Sequence, residues 1–337
     1  MAAPGRVGKA FKTLCGTLVL TLIWASCGTE STTPRAAATI KVPVTAPAFD
    51  ADSAYAYVAK QVAFGPRVPN TTAHEACANW LAKELARHGA QVDVQEARAR
   101  AYDGTILSMK NIIGTYHPES RDRVLLFAHW DTRPFADKDT TRTREPIDGA
   151  NDGASGVGVL LEIARQLGQE AADIGVDIVF FDAEDYGRPE WLPATENGFR
   201  DWCLGSQHWS QNPHRIGYRA RFGILLDMVG AQDAVFHQEG TSLRYAPHVV
   251  RKIWNRALEL GYGDRFDPEA TPQTIDDNLF VSELAGIPSA NIVDYRIRVR
   301  PMGYGPFHHT HADNMSIIDK ETLLQVGTTV LSVVRQP

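Results

Sequence analysis

Cysteine is scarce in this chain: four in 337 residues, two of which, Cys15 and Cys27, fall within the first 27 positions. The remaining pair, Cys77 and Cys203, is too small for a disulfide framework. Nothing in the sequence indicates that their Cβ atoms meet, so both are expected as free, largely buried thiols. Basic charge is also short. Lys and Arg number 34 against 40 Asp and Glu, a net of −6 that leaves no electropositive footprint for a nucleic acid or another polyanion. The one early apolar run, Leu14 to Trp24, is too short to span a bilayer comfortably. The stretch Gly153 to Gly158 lacks the lysine of a phosphate loop, and also the spacing and preceding strand of a serine-nucleophile turn. Its small residues are expected to let a helix pack closely on a sheet. No internal repeat is present.

Residues 1 to 27 have the layout of an export signal: Arg6, Lys9 and Lys12, the apolar run, then Ala25-Ser26-Cys27. The small-small-Cys ending predicts cleavage before Cys27 with lipid on its thiol, which would put the protein in the cell envelope or periplasm. Plain secretion with cleavage nearby is the alternative. Residues 28 to 46, rich in Thr, Ser, Ala and Pro, read as a flexible tether. Residues 47 to 337, of ordinary globular composition with 44% apolar and 22% charged residues in the whole chain, are expected to form one catalytic domain.

Within that domain, short apolar or β-branched runs at 112–115, 124–128, 176–181, 222–226 and 290–293 suit buried strands. Helical stretches are expected at about 50–63, 71–88 (stopped by Gly89), 154–167, 203–211, 246–260, 277–285 and 320–334. The alternation predicts an α/β three-layer sandwich: a mixed, mostly parallel central sheet with helices on both faces and antiparallel additions near residues 92 to 127. Ligands in such sheets bind beyond the carboxyl ends of strands. His129 and Asp131, Asp182 to Asp185, and Asp227 all follow expected strands.

Asp152 just before a helix reads either as a metal ligand or as the helix N-cap. Glu184 and Asp185 are adjacent carboxylates whose side chains diverge at a strand end, so one can bind metal while the other faces substrate; helix capping is their bland alternative. The tract Pro306 to Asn314 holds His308, His309 and His311, of which only one need bind metal. His129 is either a second-site ligand or a hydrogen-bonded structural histidine. Two oxygen ligands and one imidazole on Zn²⁺ leave a coordination position free, as catalytic zinc requires.

In Ala150-Asn151-Asp152, Asp182-Ala183-Glu184-Asp185 and His309-Thr310, taken in this order, the chain resembles the zinc-dependent aminopeptidase superfamily. Within it the likeness is to the animal-type glutaminyl cyclases and their bacterial relatives. Supporting blocks are Phe127 to Pro134, Gly149 to Gly158, Phe180 to Tyr186 with Leu204-Gly205-Ser206, Leu225 to Gly230, and Ile275-Asp276-Asp277. The resemblance implies Asp152, Asp185 and His309 as ligands of one zinc ion per chain, and Glu184 as general base and acid. It also implies Asp227 and Asp276 as carboxylates held against that glutamate, and Trp191, Tyr304 and His308 at the substrate pocket. Asp185 stands where the family often has Glu, and His308 where the animal enzymes carry Trp.

The reaction so implied closes an N-terminal glutamine of a peptide or protein into pyroglutamate with loss of ammonia. Two rivals remain at this stage. A two-zinc aminopeptidase would use Asp152 as bridge with His129 and Asp227 completing a second site. A surface lipoprotein binding a partner through an inactive fold would be expected to have lost the base or a ligand.

Overall fold

The computed structural model describes residues 46–299 and 302–336. The expected signal segment, Cys27 and nearly all of the tether lie outside those residues. Every element below belongs to one unit, residues 43–337.

Two helices, α1 (Ala51–Val62) and α2 (Thr72–Arg87), come first. Asp50 caps α1 by accepting from the N–H groups of Asp52 and Ser53. After α2 the chain turns at Gly89, whose φ of +84° is a backbone setting that favours glycine. Strands β1 (Gln91–Arg100), β2 (Ile106–Tyr116), β3 (Arg123–His129), β4 (Gly175–Phe181) and β5 (Gly223–Asp227) follow, with α3 (Ala154–Gln169) and α4 (Leu204–Gln211) between the later ones. Then come β6 (Phe236–Gln238), α5 (Gly240–Tyr245), α6 (Pro247–Glu259), β7 (Phe266–Ala270), α7 (Asp277–Leu284), β8 (Ser289–Val293) and α8 (Lys320–Arg335).

Six strands form the main sheet in the order β1-β2-β4-β3-β5-β8. The β1–β2 and β2–β4 pairs are antiparallel, and β4–β3, β3–β5 and β5–β8 are parallel. Period-two alternation along the buried strands divides the core between the faces. Val124, Leu126 and Ala128 of β3 join the larger cluster, with α1, α2, α3, α6 and α8. Leu125 and Phe127 join the smaller one, with Trp209 of α4 and Val281 of α7. The three-layer α/β sandwich is therefore present; within the stretch 92 to 127 expected to add antiparallel strands, β1 and β2 are antiparallel, while β3 is parallel to both of its neighbours.

Close packing of α3 is enforced by its glycines. A Cβ on Gly156 would lie 2.1 Å from the carbonyl oxygen of Leu226, and one on Gly158 would lie 2.6 Å from Cγ2 of Val58. Gly156 thus seats the helix on the sheet, while Gly158 makes room for α1. Cys77 and Cys203 are free and buried. Among the described residues, no helix is long and apolar enough to cross a membrane.

Candidate active site

The site forms where β3, β4 and β5 end, because that is where buried strands release polar residues to converging loops. Asp152 does not cap α3: Gly153 holds the N-cap position, with φ +93° and no side-chain cap. The Asp152 carboxylate is free to point elsewhere. Its oxygen Oδ2 lies 3.7 Å from His309 Nε2, and Asp185 Oδ1 lies 3.1 Å from the same nitrogen. Asp152, His308 and His309 also offer donor atoms within 4.8 Å of one another.

The carboxylate oxygens of this candidate ligand set are buried yet unsatisfied. Oδ2 of Asp152 and both oxygens of Asp185 have no hydrogen-bond partner. Orphaned carboxylate oxygens inside a protein are costly unless a cation or donor meets them, so a divalent ion on Asp152, Asp185 and His309 suits this donor set. Burial, with Asp152 nearby, raises the Asp185 pKa to about 6. Burial also pushes Asp152 up, but the His129 hydrogen bond together with the charges of His129, His309 and His308 outweighs it and holds the carboxyl below its ordinary range.

Three further carboxylates position the loops. Asp131 accepts from the N–H groups of Glu184 at 3.1 Å and Asp185 at 3.2 Å. Asp313 accepts from those of Asn151 at 2.7 Å and Asp152 at 3.0 Å. Asp182 accepts from the Lys110 N–H at 2.6 Å and faces His74 Nε2 at 2.9 Å. Backbone strain is concentrated here as well. Among the described non-glycine residues with positive φ are Ala183 (51°), Cys203 (56°), Met228 (49°) and His309 (57°). Each such setting costs on the order of 1–3 kcal/mol, and here it aims a neighbouring or own side chain into the site.

Glu184 leaves the strand end beside Asp185 and faces a different set of groups. The Cys203 thiol donates to its Oε1 at 3.0 Å, and Glu184, Cys203 and Asp276 bring polar atoms within 4.8 Å of one another. Burial, reinforced by Asp276 and Asp185 against the opposing charge of His129, raises the Glu184 pKa well above the usual carboxylate range. Asp276 is likewise raised, by burial and then by the charges of Asp227 and Asp277. Asp276 has a structural duty too. It caps α7 through the Asp277 N–H at 2.7 Å and accepts from Asn291 Nδ2 at 2.7 Å.

His129 sits between the two acidic groups, its Nε2 3.1 Å from Asp152 Oδ1 and 3.3 Å from Asp227 Oδ1. Burial opposes its protonation, yet Asp131, Asp152 and Asp227 raise its pKa well above the ordinary histidine value. His129, Asp152 and Asp227 also have donor atoms within 4.8 Å of one another, so the hydrogen-bonded and second-site readings share one geometry.

A cavity of about 260 Å³ opens onto this cluster, with Glu184, Asp227, Asp276, Tyr304, His308 and His309 in its wall. Trp191 is not in that wall. The residue is 37% exposed, and its ring meets Phe135 edge-on at 5.2 Å and carries the Arg144 guanidinium at 4.9 Å. The tryptophan in that wall is Trp202, stacked parallel to His309 with centroids 5.9 Å apart. The chain between them loops outward through residues 192–201 and returns by the left-handed Cys203, a reversal that sequence distance from Glu184 does not reveal. A Trp beside Cys203-Leu204-Gly205-Ser206 was the available signal.

Residues 111–334 match the family model of Peptidase family M28. The chain is similar to a solved glutaminyl cyclase from Bacteroides thetaiotaomicron bound to N-acetylhistamine, at 52% identity and TM-score 0.84, covering 87% of this chain and 100% of that one. It is similar to a glutaminyl cyclase from Tannerella forsythia at 54% identity and TM-score 0.83, covering 86% and 100%. It is also similar to a leucine aminopeptidase precursor from Bacteroides thetaiotaomicron at 52% identity and TM-score 0.83, covering 87% and 99%. The curated relatives are longer proteins: the match spans 47% of one and 41% of another.

Proposed function

The chain belongs to peptidase family M28, and from that premise we infer that it is a glutaminyl-peptide cyclotransferase, closing N-terminal glutamine to pyroglutamate with release of ammonia. The observation that carries this reading is Glu184: a buried carboxyl with a strongly raised pKa, beside the ligand cluster but not part of it.

In the reaction the substrate's α-amine forms a bond to its own side-chain γ-carbonyl carbon, the bond from that carbon to the amide nitrogen breaks, and ammonia leaves. Glu184 takes the proton from the amine and delivers it to the departing nitrogen. Such work needs a pKa near the operating pH. Asp276 helps to supply it, because neighbouring buried carboxyls cannot all ionise freely. The Cys203 thiol occupies Oε1, which leaves the other oxygen for the substrate. Asp152, Asp185 and His309 would hold one zinc ion, which when bound supplies Lewis acidity toward the γ-carbonyl. The nucleophile belongs to the substrate, so no activated water is required. Trp202, Tyr304 and His308 line the cavity beside Glu184.

The two-zinc aminopeptidase remains the alternative because His129, Asp152 and Asp227 share a second cluster. Product analysis separates the two. Ammonia from a Gln-initiated peptide without release of Leu from a Leu-initiated one supports the cyclase, and the reverse pattern refutes it. An intact base and ligand set speaks against the inactive partner-binding lipoprotein.

The pattern ending in Ala25-Ser26-Cys27 supports export and lipid attachment at Cys27. Membrane contact would then run through the lipid alone, with peptide or protein N-termini bearing Gln as the partners. Mass spectrometry of the mature N-terminus tests this: an unmodified terminus elsewhere than Cys27 contradicts it.

A further inference from the structure

Three consecutive residues of the loop after β3 each grip a histidine of the 308–311 tract. Asp137 Oδ1 lies 3.5 Å from His309 Nδ1. Lys138 Nζ lies 2.7 Å from His308 Nδ1. Asp139 Oδ2 lies 2.8 Å from His311 Nδ1 and also accepts from the His311 N–H at 3.0 Å. The two segments are joined besides by Lys138 N–H donating to the His309 carbonyl at 3.2 Å.

We propose that residues 137–139 are a strap that sets the ring orientation and tautomer of both pocket histidines, with Asp137 a positioning residue for the metal ligand His309 and Lys138 one for His308 in the substrate wall. This rests on the metal-site reading above. An ionised carboxylate only accepts hydrogen bonds and an ammonium only donates. Facing Asp137, the His309 hydrogen belongs on Nδ1, so that the Nε2 lone pair is presented toward Asp152 and Asp185. Facing Lys138, His308 accepts at Nδ1, so its hydrogen belongs on Nε2, 4.0 Å from Asp152 Oδ2. Two adjacent histidines with stacked rings, centroids 3.7 Å apart, are thereby held in opposite tautomers.

The strap is itself anchored to the other ligand loop. Arg133 donates to Asp137 through Nε at 2.8 Å and a terminal nitrogen at 2.6 Å, while its remaining nitrogen donates to the Asp185 carbonyl at 2.8 Å. The Asp137 side chain is fully buried, so its orientation is fixed by these partners and not by solvent.

Zinc affinity is measured by chelator competition on wild type, D137A, D137N and K138M, alongside melting of the metal-free proteins. Loss of a carboxylate behind a ligating histidine weakens metal binding ~10–100-fold, so D137A should fall in that range. D137N, which retains an oxygen to accept from Nδ1, should recover part of the loss. K138M should bind zinc as wild type does and show a raised KM for a Gln-peptide with kcat retained. Independently of any variant, nitrogen NMR of the zinc-bound protein should find His309 protonated at Nδ1 and His308 at Nε2. Wild-type zinc affinity in a folded D137A, or the same tautomer at both histidines, overturns the proposal. Wild-type protein that binds no zinc would instead sink the metal-site reading beneath it.

Discussion

Replacing Glu184 by Gln separates proton transfer from every other service that this position performs. The two side chains have the same size, so the cavity wall is unchanged, and a Gln oxygen can still accept from the Cys203 thiol at the 3.0 Å position. Neither Asp152, Asp185 nor His309 is touched, so zinc affinity should stay at the wild-type value. If Glu184 only held the substrate amine by one hydrogen bond, its loss would cost about 1 kcal/mol, roughly fivefold in rate. If it moves the proton, the loss is ~10²–10⁴-fold, about 2.7–5.5 kcal/mol of barrier. The two magnitudes do not overlap. Continuous ammonia detection with a Gln-peptide gives kcat and KM separately, and chelator competition reports zinc. A kcat within about tenfold of wild type, with zinc bound, would refute the role assigned to Glu184.

Other consequences can be checked on the same protein. Asp277 is fully buried, and burial raises its carboxyl pKa to about 7. From an unfolded value near ~4 up to that value, the unfolded chain releases a proton that the folded one keeps, so the folded state loses stability as pH rises through this window. D277N lacks that titration; its melting temperature relative to wild type should climb from acid to neutral pH, and parallel curves would contradict the argument. W202A removes the ring stacked on His309 and should lower kcat/KM for a Gln-peptide, while W191A, at an exposed site outside the cavity, should leave it nearly unchanged; the opposite order would restore Trp191 to the pocket. G156A places a methyl against the Leu226 carbonyl and should destabilise by ~1–3 kcal/mol in denaturant melts, with an unchanged midpoint as the refuting result.

Much of the architecture was readable because the parallel strands are buried on both faces. Runs such as Val176 to Phe181 are short and apolar apart from Asp177, which Arg123 pairs, and the structure places β4 at Gly175–Phe181. The edge strand β1, Gln91–Arg100, carries alternating polar residues and was foreseen only as an unplaced antiparallel addition. The small strand β7, Phe266–Ala270, contains Pro268 and two acidic residues, which argue against a strand in isolation. At the site, a strand end announced Glu184 and Asp185, a helix start Asp152 and a His-rich tract His309 as candidates, but only the family resemblance singled out Asp152, Asp185 and His309 as ligands. Trp202, Asp313 and the Asp137–Asp139 strap could not be named. They reach the site from loops, through left-handed turns and long-range hydrogen bonds that leave no periodic trace.

The most direct measurement is the anomalous scattering of zinc in crystals of the purified, zinc-loaded protein. The account predicts one full-occupancy peak per chain, bonded to Asp152, Asp185 and His309, with Glu184 beside it but outside its coordination sphere. Two comparable peaks bridged by Asp152, or a single peak remote from His309, would contradict it.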